Sequence, residues 1–189
     1  MNVLILSSSD KVYSAALQLL SVCGNHRALR ANTPQQAKAI IGQRDFGAAI
    51  VYADSMDSAY RDVCLMLAEN CVGTVFVPRG DNDEAFELYD RGVLVAERPL
   101  TKATLYVALR AALGVAYRYE KLRRENADLK ERLETLRIVS RAKCILAYGG
   151  MTEEQAHREI ERRAMSERRT KKDIAKEIIE GNDANEKDK

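Results

Sequence analysis

"VLILSSSDKVYSAALQLLSVC", residues 3–23, joins a four-residue apolar run to a stretch whose apolar residues return at spacings of three and four. The first part suits a strand buried on both faces and the second an amphipathic helix, so together they read as one β-α unit. Four more apolar runs follow: "RALRA" (27–31), "GAAIVY" (47–52), "GTVFV" (73–77) and "VLVA" (93–96). Between them lie "PQQAKAIIGQ", "SAYRDVCLMLAEN" and "DEAFELYDRG", each with helical spacing. Five units predict an α/β fold over residues 1–116, a five-stranded doubly wound, flavodoxin-like domain around a parallel sheet. The fifth helix begins after "RPLT", where Pro99 sets a boundary and Thr101 a cap.

With 189 residues, the chain has room for one full domain and a smaller one. No apolar run approaches the ~18 residues of a membrane span. The opening "MNVLILSSSD" has no basic leader, so no signal peptide and a cytoplasmic location are expected. Cys23, Cys64, Cys71 and Cys144 lack C-x-x-C spacing and histidine partners, which favours reduced thiols over a metal site or disulfides. His26 and His157, the two histidines, have no carboxylate-and-nucleophile setting, so neither catalysis nor a cofactor is expected. The formal charge of +2 is uneven: residues 1–117 carry 11 Lys+Arg against 12 Asp+Glu, residues 118–180 carry 17 against 13. The surplus cations sit in the C-terminal third, which points to an anionic partner for that part.

The fifth helix shows no stop signal at the end of the domain. Leu122, Leu129 and Leu136 recur every seven residues, as do Tyr119, Asn126 and Leu133, giving the d and a positions of a heptad seam. The seam extends backwards through Val115 and Ala112 towards Ala108 and Leu105. Residues 117–136 are therefore expected to form a two-stranded dimerisation coiled coil, the rival reading being a long helix packed on its own domain. Asn126 at an a position suits a parallel dimer in fixed register. Beyond Leu136 the heptad fades. Gly149-Gly150 ends the helix, Thr152 with Gln155 caps the next, and Thr170 with Asp173 a third that closes at Gly181. The polar tail, 181–189, is expected to be disordered.

The first domain, ending in "ERPLT", resembles the response-regulator receiver domain of two-component systems. Receivers hold magnesium on an acidic pair after strand one and accept phosphate on an aspartate ending strand three. Here those places fall on Ser7 and Ser8, and on Tyr52 in "AAIVYADS". The Thr/Ser position after strand four falls on Pro78, and the Lys-Pro after strand five is approached by Arg98-Pro99. Serine and tyrosine supply neither the hard carboxylate ligands nor the nucleophile. The resemblance therefore implies a pseudo-receiver with no phosphoacceptor and no metal, used for dimerisation and partner binding. Asp10 and Asp54, two or three residues late, leave non-standard phosphorylation at Asp54 as an open alternative.

"RAKCILAYGGMTEEQAHREIERRAMSERRTKKDIAKEII", within residues 137–180, resembles the ANTAR domain, an RNA-binding module of transcription antitermination regulators. The matching positions are Ala142, Lys143, Ile145, Leu146, Ala156, Ile160, Ala164, Met165, Arg169, Ile174 and Ala175. Cys144, Ala147, His157 and Lys171 depart from the family pattern. Ile138, Ala142, Ile145, Ala156, Ile160, Ala164, Ile174 and Ile178 have the spacing of a three-helix core. The cations left outside are Arg141, Lys143, Arg158, Arg162, Arg163, Arg168, Arg169, Lys171 and Lys172. They are either a solvated face interleaved with Glu159, Glu161 and Glu167, or the RNA contacts that the resemblance implies.

The resemblance implies a dimeric antiterminator that binds paired hairpin loops in leader mRNA, controlled by a regulatory protein or ligand acting on the pseudo-receiver. In the amidase-operon relative of this family a ligand-responsive partner sequesters the regulator. Two other classes stand beside this reading: a DNA-binding response-regulator transcription factor, and a coiled-coil signalling adaptor.

Overall fold

The computed structural model describes residues 1–22, 24–54, 57–79 and 86–187. Cys23 lies outside them, as do residues 83–85 at the start of the expected fourth helix. The chain divides into two compact units, Met1–Leu122 and Arg123–Lys189.

In the first unit, β1 (Asn2–Leu6), β2 (Arg27–Ala31), β3 (Ala48–Tyr52), β4 (Gly73–Val77) and β5 (Leu94–Val95) pair in parallel in the order β2-β1-β3-β4-β5. Alternation along each strand feeds two cores. Leu4, Leu6, Ala49, Val51 and Phe76 face α2 (Pro34–Ile41), α3 (Ser58–Glu69) and α4 (Phe86–Tyr89). Val3, Ile5, Ala48, Ile50, Val75 and Val77 face α1 (Asp10–Val22) and the start of α5 (Lys102–Tyr148). Both faces are covered, which is why the central strands read as unbroken apolar runs. Each fully buried Leu, Ile or Phe contributes about 1.5–3 kcal/mol. The fifth strand is shorter than its apolar run: only Leu94 and Val95 pair, against Val75 and Phe76.

Thr101 caps α5 as expected: Thr104 N donates to Thr101 Oγ1 at 3.2 Å. The helix then runs unbroken for 47 residues. Leu105, Leu109 and Ala112 are buried in the sheet domain's own core. This overturns the backward extension of the heptad seam through Ala112 and Leu105. An apolar face spent on the sheet cannot also meet a partner. From Lys121 to Glu134 every residue of α5 is exposed.

Gly73 shows how closely α5 is seated. A Cβ there would lie 2.9 Å from Leu113 N and 3.0 Å from Ala112 C, both backbone atoms. Gly73→Ala is expected to cost about 1–3 kcal/mol, because neither β4 nor the helix backbone can yield locally. Chemical denaturation read by far-ultraviolet dichroism checks it, and an unchanged midpoint would contradict this packing.

The second unit holds the rest of α5, then α6 (Glu153–Glu167) and α7 (Lys171–Lys187). Gly150, at φ 98°, breaks α5 from α6. Thr152 and Gln155 form the reciprocal capping box that their spacing predicts. At the next corner Thr170 Oγ1 donates to Asp173 Oδ2 at 2.7 Å and accepts from Asp173 N at 3.1 Å. The third helix does not close at Gly181, and the expected disordered tail is helical through Lys187. Gly181 lacks the positive φ by which a glycine ends a helix, and inside a helix it costs only about 1 kcal/mol.

Candidate nucleic-acid interface

The site that a receiver would use for phosphate lies at the carboxyl ends of β1, β3, β4 and β5. Here it is filled by arginine. The Arg98 guanidinium donates to Ala53 O at 3.3 Å and Val77 O at 3.2 Å, and sits 5.6 Å from the Tyr52 ring centroid. It ties together the ends of three strands. Asp54 lies between Arg79, at 3.4 Å, and Arg98, at 3.5 Å. Asp10, the first residue of α1, pairs with Arg30, which stacks on Tyr13. Tyr52 is largely buried, and burial pushes its phenol above the ordinary value, partly offset by Arg98. Ser7 is buried, its hydroxyl bonded to the backbone of Ser9. The arginine clamp was the feature that sequence reasoning missed. Its one legible sign was the residue before Pro99.

Among the described residues no group of three His, Cys, Asp or Glu side chains is placed to hold a metal. No described helix is long and apolar enough to cross a membrane. Burial pushes the Cys64 thiol up to about 12, which keeps it protonated.

The expected dimerisation residues lie along α5. Leu122, Leu129, Leu133 and Leu136 are 57–66% exposed in the single chain, and Asn126 is exposed with them. Tyr119 is engaged at home: its hydroxyl donates to Asp90 O at 3.3 Å, and its ring lies against Gly92.

In the second unit, Ala142, Ile160, Ala164, Ile174 and Ala175 form the buried core, flanked by Ile138, Val139, Leu146, Ile178 and Ile179. Ala156 is also buried, and Ile145 is half-buried. The alanines bring the helices close, and the isoleucines fill the space between them.

Most of the candidate cations are paired with carboxylates. Lys143 meets Glu153 at 2.8 Å and Arg158 meets Glu154 at 2.6 Å. Glu159 accepts from both Arg162, at 2.8 Å, and Arg163, at 2.7 Å, and these bonds hold its carboxyl down to about 2. Arg169 bridges Glu167 at 2.9 Å and Glu177 at 2.5 Å. Lys171 reaches Glu161 at 2.5 Å, and Lys172 lies 3.9 Å from Glu131. Arg141 is exposed on α5. Arg168 is exposed at the end of α6 in the left-handed region, at φ 53° and ψ 39°. Exposed pairs of this kind add little stability. His157, which departs from the family pattern, packs 3.3 Å from Glu161.

A receiver-like α/β domain, with serine and tyrosine at its acidic positions and Arg98 bonded across the strand ends, is thus followed by a three-helix unit bearing a rim of cations. Residues 127–179 match the family model of the ANTAR domain, so this part of the chain is an ANTAR domain. It is 34% identical over 128 residues to the transcriptional regulatory protein PdtaR of Mycobacterium tuberculosis, a match covering 67% of this chain and 62% of that protein. The chain thus spans about three fifths of that relative's length. Among solved structures, a response regulator receiver domain protein from Clostridium thermocellum superposes with a TM-score of 0.53 at 17% identity, covering 64% of this chain and 98% of that one. The response regulator StyR superposes with a TM-score of 0.60 at 13% identity, over 95% and 98% of the two chains. At such identities these likenesses describe the fold.

Proposed function

We propose that this chain is a cytoplasmic transcription antiterminator that binds paired hairpin loops in leader mRNA as a homodimer, stabilising read-through over termination. The observation that carries the reading is the ANTAR match over residues 127–179, on a three-helix unit whose cations lie on its exterior. The working arrangement is a pseudo-receiver over 1–116, a dimerisation helix over 117–136 and an RNA-binding module over 137–180. PdtaR, the relative at 34% identity, is a transcriptional regulatory protein.

Dimerisation draws its support from Leu122, Leu129, Leu133 and Leu136, an apolar stripe left uncovered in the single chain. Control independent of phosphorylation draws its support from the acceptor site. Tyr52 stands at the acceptor position, and Arg98 occupies the strand ends with bonds to two carbonyls. Regulation then falls to a protein or ligand that engages the sheet domain or covers the leucine stripe.

Competition binding of the full chain against two-hairpin RNA, duplex DNA and no nucleic acid separates the three function classes. Binding to the RNA is expected, with log K falling linearly with log salt. Preference for duplex DNA would favour a DNA-binding response regulator, and binding to neither an adaptor. An affinity for RNA that ignores added salt would count against phosphate contact.

A further inference from the structure

We infer that RNA contact is led by Arg168 at the α6–α7 corner, and that the arginines along α6 serve as structural ion-pair partners. The inference rests on the RNA-binding reading above and narrows it to one part of the module.

Charge is unevenly distributed along the module. α6 carries five carboxylates (Glu153, Glu154, Glu159, Glu161, Glu167) against three arginines (Arg158, Arg162, Arg163), so it is net acidic. The corner run "RRTKK", residues 168–172, holds four cations and no carboxylate. Of those four, Arg169, Lys171 and Lys172 already face Glu167 and Glu177, Glu161 and Glu131. Among the described residues Arg168 makes no side-chain hydrogen bond or ion pair.

The reason lies in helix geometry. An arginine on α6 meets carboxylates three or four residues earlier, as Arg158 meets Glu154 and as Arg162 and Arg163 meet Glu159. Three and four residues before Arg168 stand Met165 and Ala164, and the left-handed backbone turns residue 168 out of the helical row. Met165 is 76% exposed, an apolar neighbour for an unpaired base. A left-handed C-terminal position ordinarily selects glycine or asparagine, because a Cβ is crowded there. A long cation held in that conformation, unpaired and exposed, is a local outlier of the kind that collects at binding sites. A guanidinium so placed can bridge phosphate oxygens bidentately or stack on a base.

The test uses the full chain and the tightest binder selected from a pool of two-hairpin RNAs with randomised loops. Arg168→Gly and Arg168→Asn both suit the left-handed backbone, so folding is kept. The glycine variant is expected to melt about 2–6 °C higher at the C-terminal unit. Both variants are expected to bind at least about tenfold more weakly, with a salt slope shallower by about one. Arg158→Gln and Arg162→Gln are expected to stay within about threefold of the parent, as exposed pairs contribute little. If the parent binds while the residue-168 variants match it, or the α6 variants lose as much, the inference is overturned and the RNA reading stands. If no RNA in the pool is retained by the parent, the RNA reading itself fails.

Discussion

Ile160→Ala is expected to unfold the three-helix unit while leaving the sheet domain intact. Ile160 is fully buried among Ala142, Ala164, Ile174 and Ala175, and three of those four neighbours are alanines. Truncating a buried isoleucine costs about 2–5 kcal/mol, and alanine neighbours have no spare side chain with which to fill the cavity. A unit this small has little stability beyond that loss. Hydrogen exchange resolves the two units. Amides of α6 and α7 should lose protection, while those of β1 and β3 keep theirs. RNA binding should vanish with the helices. Retained protection in α6 would mean that the core is shared more widely than the buried residues indicate.

Leu129→Asp combined with Leu136→Asp is expected to convert a dimer to a monomer with both units still folded. Each leucine is more than half exposed in the single chain, so the monomer loses little burial when it is replaced. In a coiled coil each would bury its side chain for roughly 1.5–3 kcal/mol, and a carboxylate in the seam would add a desolvation penalty. Losing the second module removes avidity, so affinity for a two-hairpin RNA should fall about 10²–10⁴-fold, whereas a single hairpin should bind nearly as before. Sedimentation equilibrium and paired titrations measure both effects. A parent chain that sediments as a monomer at micromolar concentration would remove the dimer from the proposal.

The architecture was readable because its signals are local. A strand buried on both faces must be largely apolar, and "GTVFV", buried at every position, coincides with β4 residue for residue, as "RALRA" does with the edge strand β2. Capping needs particular side chains at fixed offsets, and both Thr152–Gln155 and Thr170–Asp173 close as their spacing predicts. The C-terminal end was misread because Gly181 reads as a stop by composition, whereas termination depends on its backbone angles, which here stay helical.

The candidate site was legible in content but not in arrangement. The nine cations could be named from the sequence, yet their partners depend on which carboxylates the fold brings near. Lys171 pairs with Glu161, ten residues earlier, and Lys172 lies near Glu131, forty-one residues earlier. Arg98 could be aligned but not recognised as a clamp, since Ala53 and Val77 reach it only once β3, β4 and β5 lie side by side.

By itself, then, the sequence determined the parallel sheet, the long helix and the three-helix module, because periodicity, apolar runs and caps act over a few residues. Only the tertiary structure decided how the faces of α5 are used. The same seven-residue repeat runs through Leu105, Ala112 and Tyr119 into Asn126 and Leu133. A sheet covers the first two, while the last two face solvent. Periodicity marks which face of a helix is apolar. What covers that face depends on the surfaces that folding brings against it.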